Sequence, residues 1–331
     1  MSPSPQEPDR IPRGGTDAQR ATPAPPTPPR SITLSWILPR RRSRGYNRFR
    51  MVCASAALLA SAFLHALWNA LLKRERDPQV AVAGVLSVAL VVALGAASRS
   101  GSPAFATLPA LRWALAAGVC EGLYFVTLAA AMARAEYGVV YTVARGGAMV
   151  LVWPAARLLL AEPVTARGLL GACVVAAGLV LVTLAKARGP AARAGLAFAA
   201  VCAASIAGYH LAYDRALHTG AREAPLFAVA LATALPFVLA SLRFRGALAA
   251  AARPGWRAAL GWTVAGAICT ASFLLFLSGL ARSGAAVALT LRNTSVVFAQ
   301  ALALGVGERP TRRQVAGAVL VLLGATLVVR S

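Results

Sequence analysis

From Met51 onward the chain is a near-continuous series of apolar runs, each close to the ~20 residues that a bilayer-spanning helix needs and each ended by charge, proline or glycine. In hydrocarbon every backbone N–H and C=O has to find a partner within the protein, which a helix achieves inside one segment. Ten runs fit, over 52–72, 79–97, 112–133, 138–159, 168–185, 194–213, 225–242, 257–281, 284–304 and 314–330. The longest interruption is 243–256, and charge, glycine and proline coincide at 186–190. Composition agrees, since 58% of the 331 residues are hydrophobic and 14% charged, more apolar surface than one soluble core hides.

The stretch EGLYFVTLAAAMARAEYGVVYTVARGGAMVLVWPAARLLLAEPVTARGLLGACVVAAG at 121–178 recurs from Thr270 onward with two one-residue gaps. Glu162 then meets Glu308, Thr165 meets Thr311, Arg167 meets Arg313, Gly171 meets Gly317 and Gly178 meets Gly324, all at one offset. Arg145 pairs with Arg292 and Arg134 with Arg282 across the gaps. Five helices per half is an odd number, so a duplicated unit enters the membrane the second time with opposite orientation. The expected fold is an all-α polytopic membrane protein, with ten transmembrane helices as two inverted five-helix repeats at 51–187 and 188–331. Gly171 with Gly178, and Gly317 with Gly324, each lie on one helix face two turns apart and permit close helix contact. Gly118 and Gly122 form a G-x-x-x-G, a weak signal in a chain this rich in small residues.

Residues 1–50 are rich in Pro, Ser, Thr and Arg and offer no hydrophobic face, so disorder is expected there; a start at Met51 is the alternative. No small-residue cleavage site separates the first run from KRERDP, so a retained helix is expected rather than a removable signal peptide. Six Arg between positions 40 and 50 argue for an inside N-terminus. Against this, the loops that would then lie outside carry about twice the Lys/Arg of those inside, Arg243, Arg245, Arg253 and Arg257 among them. The net charge of +23 invites a nucleic-acid reading, but the basic residues sit between apolar runs without a basic helix face or aromatic strip, so no nucleic acid is expected. Cys53, Cys120, Cys173, Cys202 and Cys269 are scattered singly without C-x-x-C pairing or neighbouring ligands, and read as small buried residues with no metal or cofactor.

The informative positions are polar ones at bilayer depth. Glu121 lies nine residues past Arg112, ~13 Å into the third span, and Arg145 is at similar depth in the fourth. Arg292 is deep in the ninth, whereas the position matching Glu121 is Thr270. Two readings are open. In one, Glu121 and Arg145 form a structural ion pair between antiparallel neighbours, and Arg292 is satisfied by Asn293, Gln300 or carbonyls. In the other, Arg145 and Arg292 attract an anionic group in a central cavity, and Glu121 binds an amine or a coupling proton. Intramembrane ionisable residues usually mark a substrate or ion path, which favours the second.

His65, Trp68 and Asn69 fall within about one turn near the end of the first span, with Lys73 beyond; the sixth carries Tyr209, His210 and Asp214. This polar and aromatic stripe reads either as a ligand contact or, for Trp68, Tyr209 and Lys73, as interfacial belt and snorkelling residues. Tyr124 and Tyr141, on the spans of Glu121 and Arg145, are candidate cavity donors or plain packing residues.

The stretches HALWNALLKRERDP, YGVVYTVARGG with LLLAEPVTARGLLG, and LRNTSVVFAQALALGVGERPTRRQVAGAVLVLLG resemble the EamA-type permeases of the drug/metabolite transporter superfamily, over essentially everything after residue 50. Glu162 and Glu308, each followed by a glycine, carry the family's loop signature. The resemblance implies both termini in the cytoplasm, a location in the cytoplasmic membrane, and a substrate cavity between the halves. The chain departs from the pattern at Thr142, where relatives often have Pro, and at Asn293, where they often have Glu, which removes a counter-ion for Arg292.

The expected function is secondary transport of a small polar metabolite bearing an anionic or zwitterionic group, by alternating access, and not enzyme catalysis. No G-x-x-x-x-G-K-[ST] loop is present to use nucleotide, so proton coupling or exchange is the expected energy source. The alternative within transport is export of cationic or amphipathic drugs held by Glu121 and the aromatics. An intramembrane enzyme acting on lipid-linked phosphates is disfavoured, because His65, His210 and His218 have no acidic cluster beside them beyond Asp214.

Overall fold

The computed structural model describes residues 44–72, 75–99, 101, 103–132, 134–135, 137–161, 163, 165–183, 190–304 and 311–330. Residues 1–43 of the tail expected at 1–50, Lys73, Glu162, Glu308 and most of the 186–190 break lie outside the described residues, as do the side chains of Tyr141, Thr142 and Gln300. Twelve helices are described: α1 Arg44–Leu72, α2 Pro78–Ser98, α3 Leu108–Met132, α4 Tyr137–Leu159, α5 Ala166–Thr183, α6 Pro190–His218, α7 Glu223–Phe244, α8 Leu248–Ala252, α9 Trp256–Ser283, α10 Ala285–Arg292, α11 Ser295–Leu304 and α12 Arg312–Val329. The first helix thus starts upstream of Met51.

Among the described residues each expected run is largely helical, but the expectation of ten transmembrane helices as two inverted five-helix repeats is overturned. Among the described residues only six helices are long and apolar enough to cross a membrane: Met51–Leu72, Gln79–Ser98, Leu108–Ala131, Arg193–His218, Glu223–Phe244 and Trp256–Ser283. The other runs fall short for identifiable reasons. The apolar parts of α5 and α12, Ala166–Leu181 and Val315–Val329, span only about 22–24 Å at the standard rise, against a hydrocarbon core of ~30 Å. α4 is 23 residues long and carries Arg145, Pro154 and Arg157 along its length. The expected ninth run breaks in two between α10 and α11.

That break has a local cause. The Thr294 hydroxyl donates to the Leu291 carbonyl (2.7 Å), and the Thr294, Val296 and Val297 amides bond three residues back rather than four. Side-chain competition for a helix carbonyl and a tightened turn are recognised ways to interrupt a helix without Pro or Gly. Asn293, Thr294 and Ser295 are all buried, as non-helical backbone at membrane depth must be. The reversal from α9 into α10 is made by Gly284 alone, at φ 81° and ψ 167°, a conformation essentially reserved for glycine.

Packing sets the site's frame. α3 lies against α6 and α7, α1 against α9, α2 against α7 and α9, α4 against α6, and α5 against α12. The α5–α12 seam is backbone on backbone: a Cβ on Gly171 would sit 2.7 Å from the Gly324 carbonyl oxygen, and one on Gly178 2.7 Å from that of Gly317. The G-x-x-x-G of α3 is likewise a contact, with Gly118 against Ala230 and Gly122 against Phe237 of α7. Large apolar side chains such as Val91, Val150 and Leu158 face outward, as lipid-bathed helices require. Cys202 and Cys269 are buried as expected, but Cys53 and Cys173 are exposed and Cys120 is half-buried.

Short polar ties close the ends of the bundle. An antiparallel bridge joins Phe105 to Ala221, and the Thr107 hydroxyl donates to the Thr219 carbonyl (2.7 Å). Asp77 caps α2 by accepting from the Gln79 and Val80 amides, and its second oxygen lies 3.5 Å from Arg245.

Candidate functional site

Two helices bring basic side chains to one imidazole on a third. His65 stands on the inner face of α1, 4% exposed. Arg145 Nη2 from α4 lies 2.6 Å from its Nε2, and Arg292 Nη2, from the last residue of α10, lies 3.3 Å from its Nδ1. Trp68, one turn along α1, directs its indole N–H at the same Nδ1 (3.2 Å). The helix break holds Arg292 at this depth, because α10 ends there and the chain turns through buried Asn293.

Arginine and indole nitrogens donate only, and a neutral imidazole offers a single lone pair. Whichever ring nitrogen carries the proton, at least one N–H donor faces another; a protonated ring makes every contact donor against donor. The site therefore holds more donors than acceptors. Arg292 keeps its guanidinium over the faces of Phe273 and Phe276, 4.3 Å from each ring centre, while its Nε and Nη1 have no hydrogen-bond partner among the described residues. Cation–π contact offsets part of the cost of burying this charge.

The acceptor side is equally incomplete. Glu121 of α3 is 1% exposed, and neither carboxylate oxygen makes a hydrogen bond among the described residues. The Tyr213 hydroxyl faces it without hydrogen-bond geometry. Tyr209 stacks on His210 (4.4 Å, 28°) and meets Tyr124 and Tyr213 edge-on. His210 Nδ1 lies 2.8 Å from the Ile206 carbonyl, which requires the proton on Nδ1 and leaves Nε2 a buried acceptor without a partner. Both amide atoms of Asn293 are also buried and unpartnered.

The structure brings together His65, Trp68, Arg145 and Arg292, and sets Glu121, Tyr124 and Tyr209 around α6. Trp68 and Tyr209 are each 2% exposed, so neither belongs to an interfacial belt. Asn69 is exposed and its amide returns to the His65 carbonyl (2.6 Å), which turns it away from the cluster. Glu121 does not pair with Arg145: α3 and α4 both lean on α6, and Arg145 turns to α1 instead. Thr270, at the position matching Glu121, donates to the Ala89 and Gly266 carbonyls. Sequence reasoning named His210 but missed Tyr213, Phe273 and Phe276. His210 and Tyr213 lie on the same apolar-flanked stretch as Tyr209, one and four residues on, which is the signal that points to them. Among the described residues no group of three or more His, Cys, Asp or Glu could hold a metal ion.

Residues 193–330 match the EamA-like transporter family. The match covers the second half of the chain, a smaller reach than the resemblance read from residue 51 onward. EamA-like proteins are transporters, not enzymes, and the chain is a polytopic all-helical membrane protein related to them, as befits small-molecule transport. A crystal structure of another protein superposes with a TM-score of 0.69 over 85% of this chain and 98% of that one, at 18% identity, which shows a common fold. No curated protein matches the sequence.

Proposed function

We propose that the protein is a secondary transporter of the cytoplasmic membrane that moves a small polar metabolite bearing an anionic or zwitterionic group by alternating access. The observation that carries this reading is the convergence of Arg145 and Arg292, from α4 and α10, on one buried imidazole. Two guanidiniums confined this way favour an anionic ligand, whose oxygens accept from both in charge-assisted bonds. Glu121, with both oxygens free of hydrogen bonds among the described residues and beside Tyr213, is the complementary site for an amine or for the coupling proton. The same carboxylate under Tyr124, Tyr209 and Tyr213 is the feature that would favour a cationic amphipathic drug, but the two arginines repel such a ligand. The test is a thermal-shift screen of detergent-purified protein against carboxylates, amino acids, organic phosphates and cationic dyes, since a ligand that binds only the folded state raises its melting point. Shifts with anionic or zwitterionic metabolites, lost in Arg145→Ala and Arg292→Ala, support the proposal. Shifts with cationic dyes alone, lost in Glu121→Gln, replace it with drug export.

A further inference from the structure

We infer that His65 occupies the seat of the substrate's anionic group and must be displaced from it, which makes His65 a specificity-determining residue rather than a ligand contact. The inference rests on the proposed anion site. Three donors from three helices are aimed at the imidazole: Trp68 Nε1 of α1 and Arg292 Nη2 of α10 at Nδ1, and Arg145 Nη2 of α4 at Nε2. A single lone pair cannot answer all of them, so the ring is a poor acceptor for the place it fills. A carboxylate has about four lone-pair sites, and a phosphate or sulfate group more, so an oxyanion placed between the guanidiniums satisfies every donor that the imidazole leaves facing another donor. The charges agree, since two buried guanidiniums converge on one ring and an anion seated there would offset both.

The physical consequence is a filter. A solute enters only if its acceptors outcompete the imidazole for both guanidiniums at once. A neutral hydroxyl or amide offers no charge and accepts few hydrogen bonds, and is refused in favour of His65. The two guanidiniums sit on α4 and α10 and the blocking ring on α1, so displacing it releases the side-chain link that joins these three helices. Each binding event therefore includes the work of moving His65, and affinity is lower by the fraction of time the seat is free.

The test uses the whole chain in detergent, with melting point followed against sodium sulfate and sodium phosphate, and sodium chloride, which is not an oxyanion, balancing ionic strength. His65→Ala is expected to reach its half-maximal shift at about tenfold lower sulfate than the unmodified protein, because the cost of vacating the seat is removed. Adding Arg292→Ala should abolish the shift in both backgrounds. If His65→Ala does not fold, His65→Asn serves: it is too short to span both guanidiniums, and should shift the midpoint in the same direction by less. A variant needing as much sulfate as the unmodified protein, or more, while Arg292→Ala still abolishes the shift, would overturn the role of His65 and leave the anion site standing. No shift with either oxyanion in any folded variant would overturn the anion site itself, and this inference with it.

Discussion

Arg292 is held by two aromatic faces and an imidazole instead of a carboxylate, and that choice separates its role in folding from its role in binding. A buried charge whose hydrogen bonds are incomplete contributes little net stability, and an apolar side chain of similar length often replaces it without loss. Cation–π contact with Phe273 and Phe276 contributes about 2 kcal/mol or more each when desolvated, and a methionine in place of the arginine keeps apolar and sulfur–aromatic contact with both rings. Arg292→Met should therefore leave the melting point within a few degrees of the unmodified protein, or raise it, while eliminating any oxyanion-induced shift; a collapsed melting point would mean the guanidinium is chiefly structural. The same logic applies to Glu121, which makes no hydrogen bond among the described residues that glutamine would lose. Glu121→Gln is expected to fold normally in liposomes and to fail in uptake driven by a pH gradient. Undiminished pH-driven uptake would remove Glu121 from the coupling step.

Among the helices, the interrupted pair α10–α11 is the feature on which the site depends. Thr294→Val keeps the side chain's shape and removes the hydroxyl that occupies the Leu291 carbonyl, so the helix regains its ordinary bonding at a stability change of about 1 kcal/mol. Arg292 would then rotate off the imidazole, and the half-maximal sulfate concentration should rise with the melting point nearly unchanged. Gly284→Ala is different in kind: it forces an alanine into a backbone region that only glycine occupies easily, and should cost about 1–3 kcal/mol in thermal or denaturant unfolding. These two positions also show what the sequence made legible. The turn at Gly284 was marked by the glycine between two apolar runs. The break at Asn293 had no such mark, since Thr and Asn within an apolar run read as ordinary helix residues until their hydrogen bonds are seen. The depth of Glu121, Arg145 and Arg292 could be counted from the start of each run. Their partners could not, because those depend on α6 lying against both α3 and α4, and on Phe273 and Phe276 of α9 arriving beneath α10.

For the molecule as a whole, which surface meets lipid is open to direct measurement. Trp113 is 40% and Trp256 73% exposed, whereas Trp68, Trp153 and Trp262 lie between 2% and 7%. In single-tryptophan variants reconstituted with brominated acyl chains, Trp113 and Trp256 should be quenched and the other three should not. Strong quenching of Trp153, whose indole N–H donates to Thr290, would mean that the bundle interior is lipid-accessible. The seam between α5 and α12 carries a different kind of consequence. A carbonyl oxygen opposes Gly171, Gly178 and Gly324 there, beside valine side chains, and no mutation on the other helix can trim that oxygen back. A bulky residue at Gly171 thus cannot be rescued by a smaller one across the seam, as a core cavity is rescued by a compensating swap. In a library randomised at Gly171, Gly178 and Gly324 together, selection for folded protein should return glycine at each position independently, with no covariation between them.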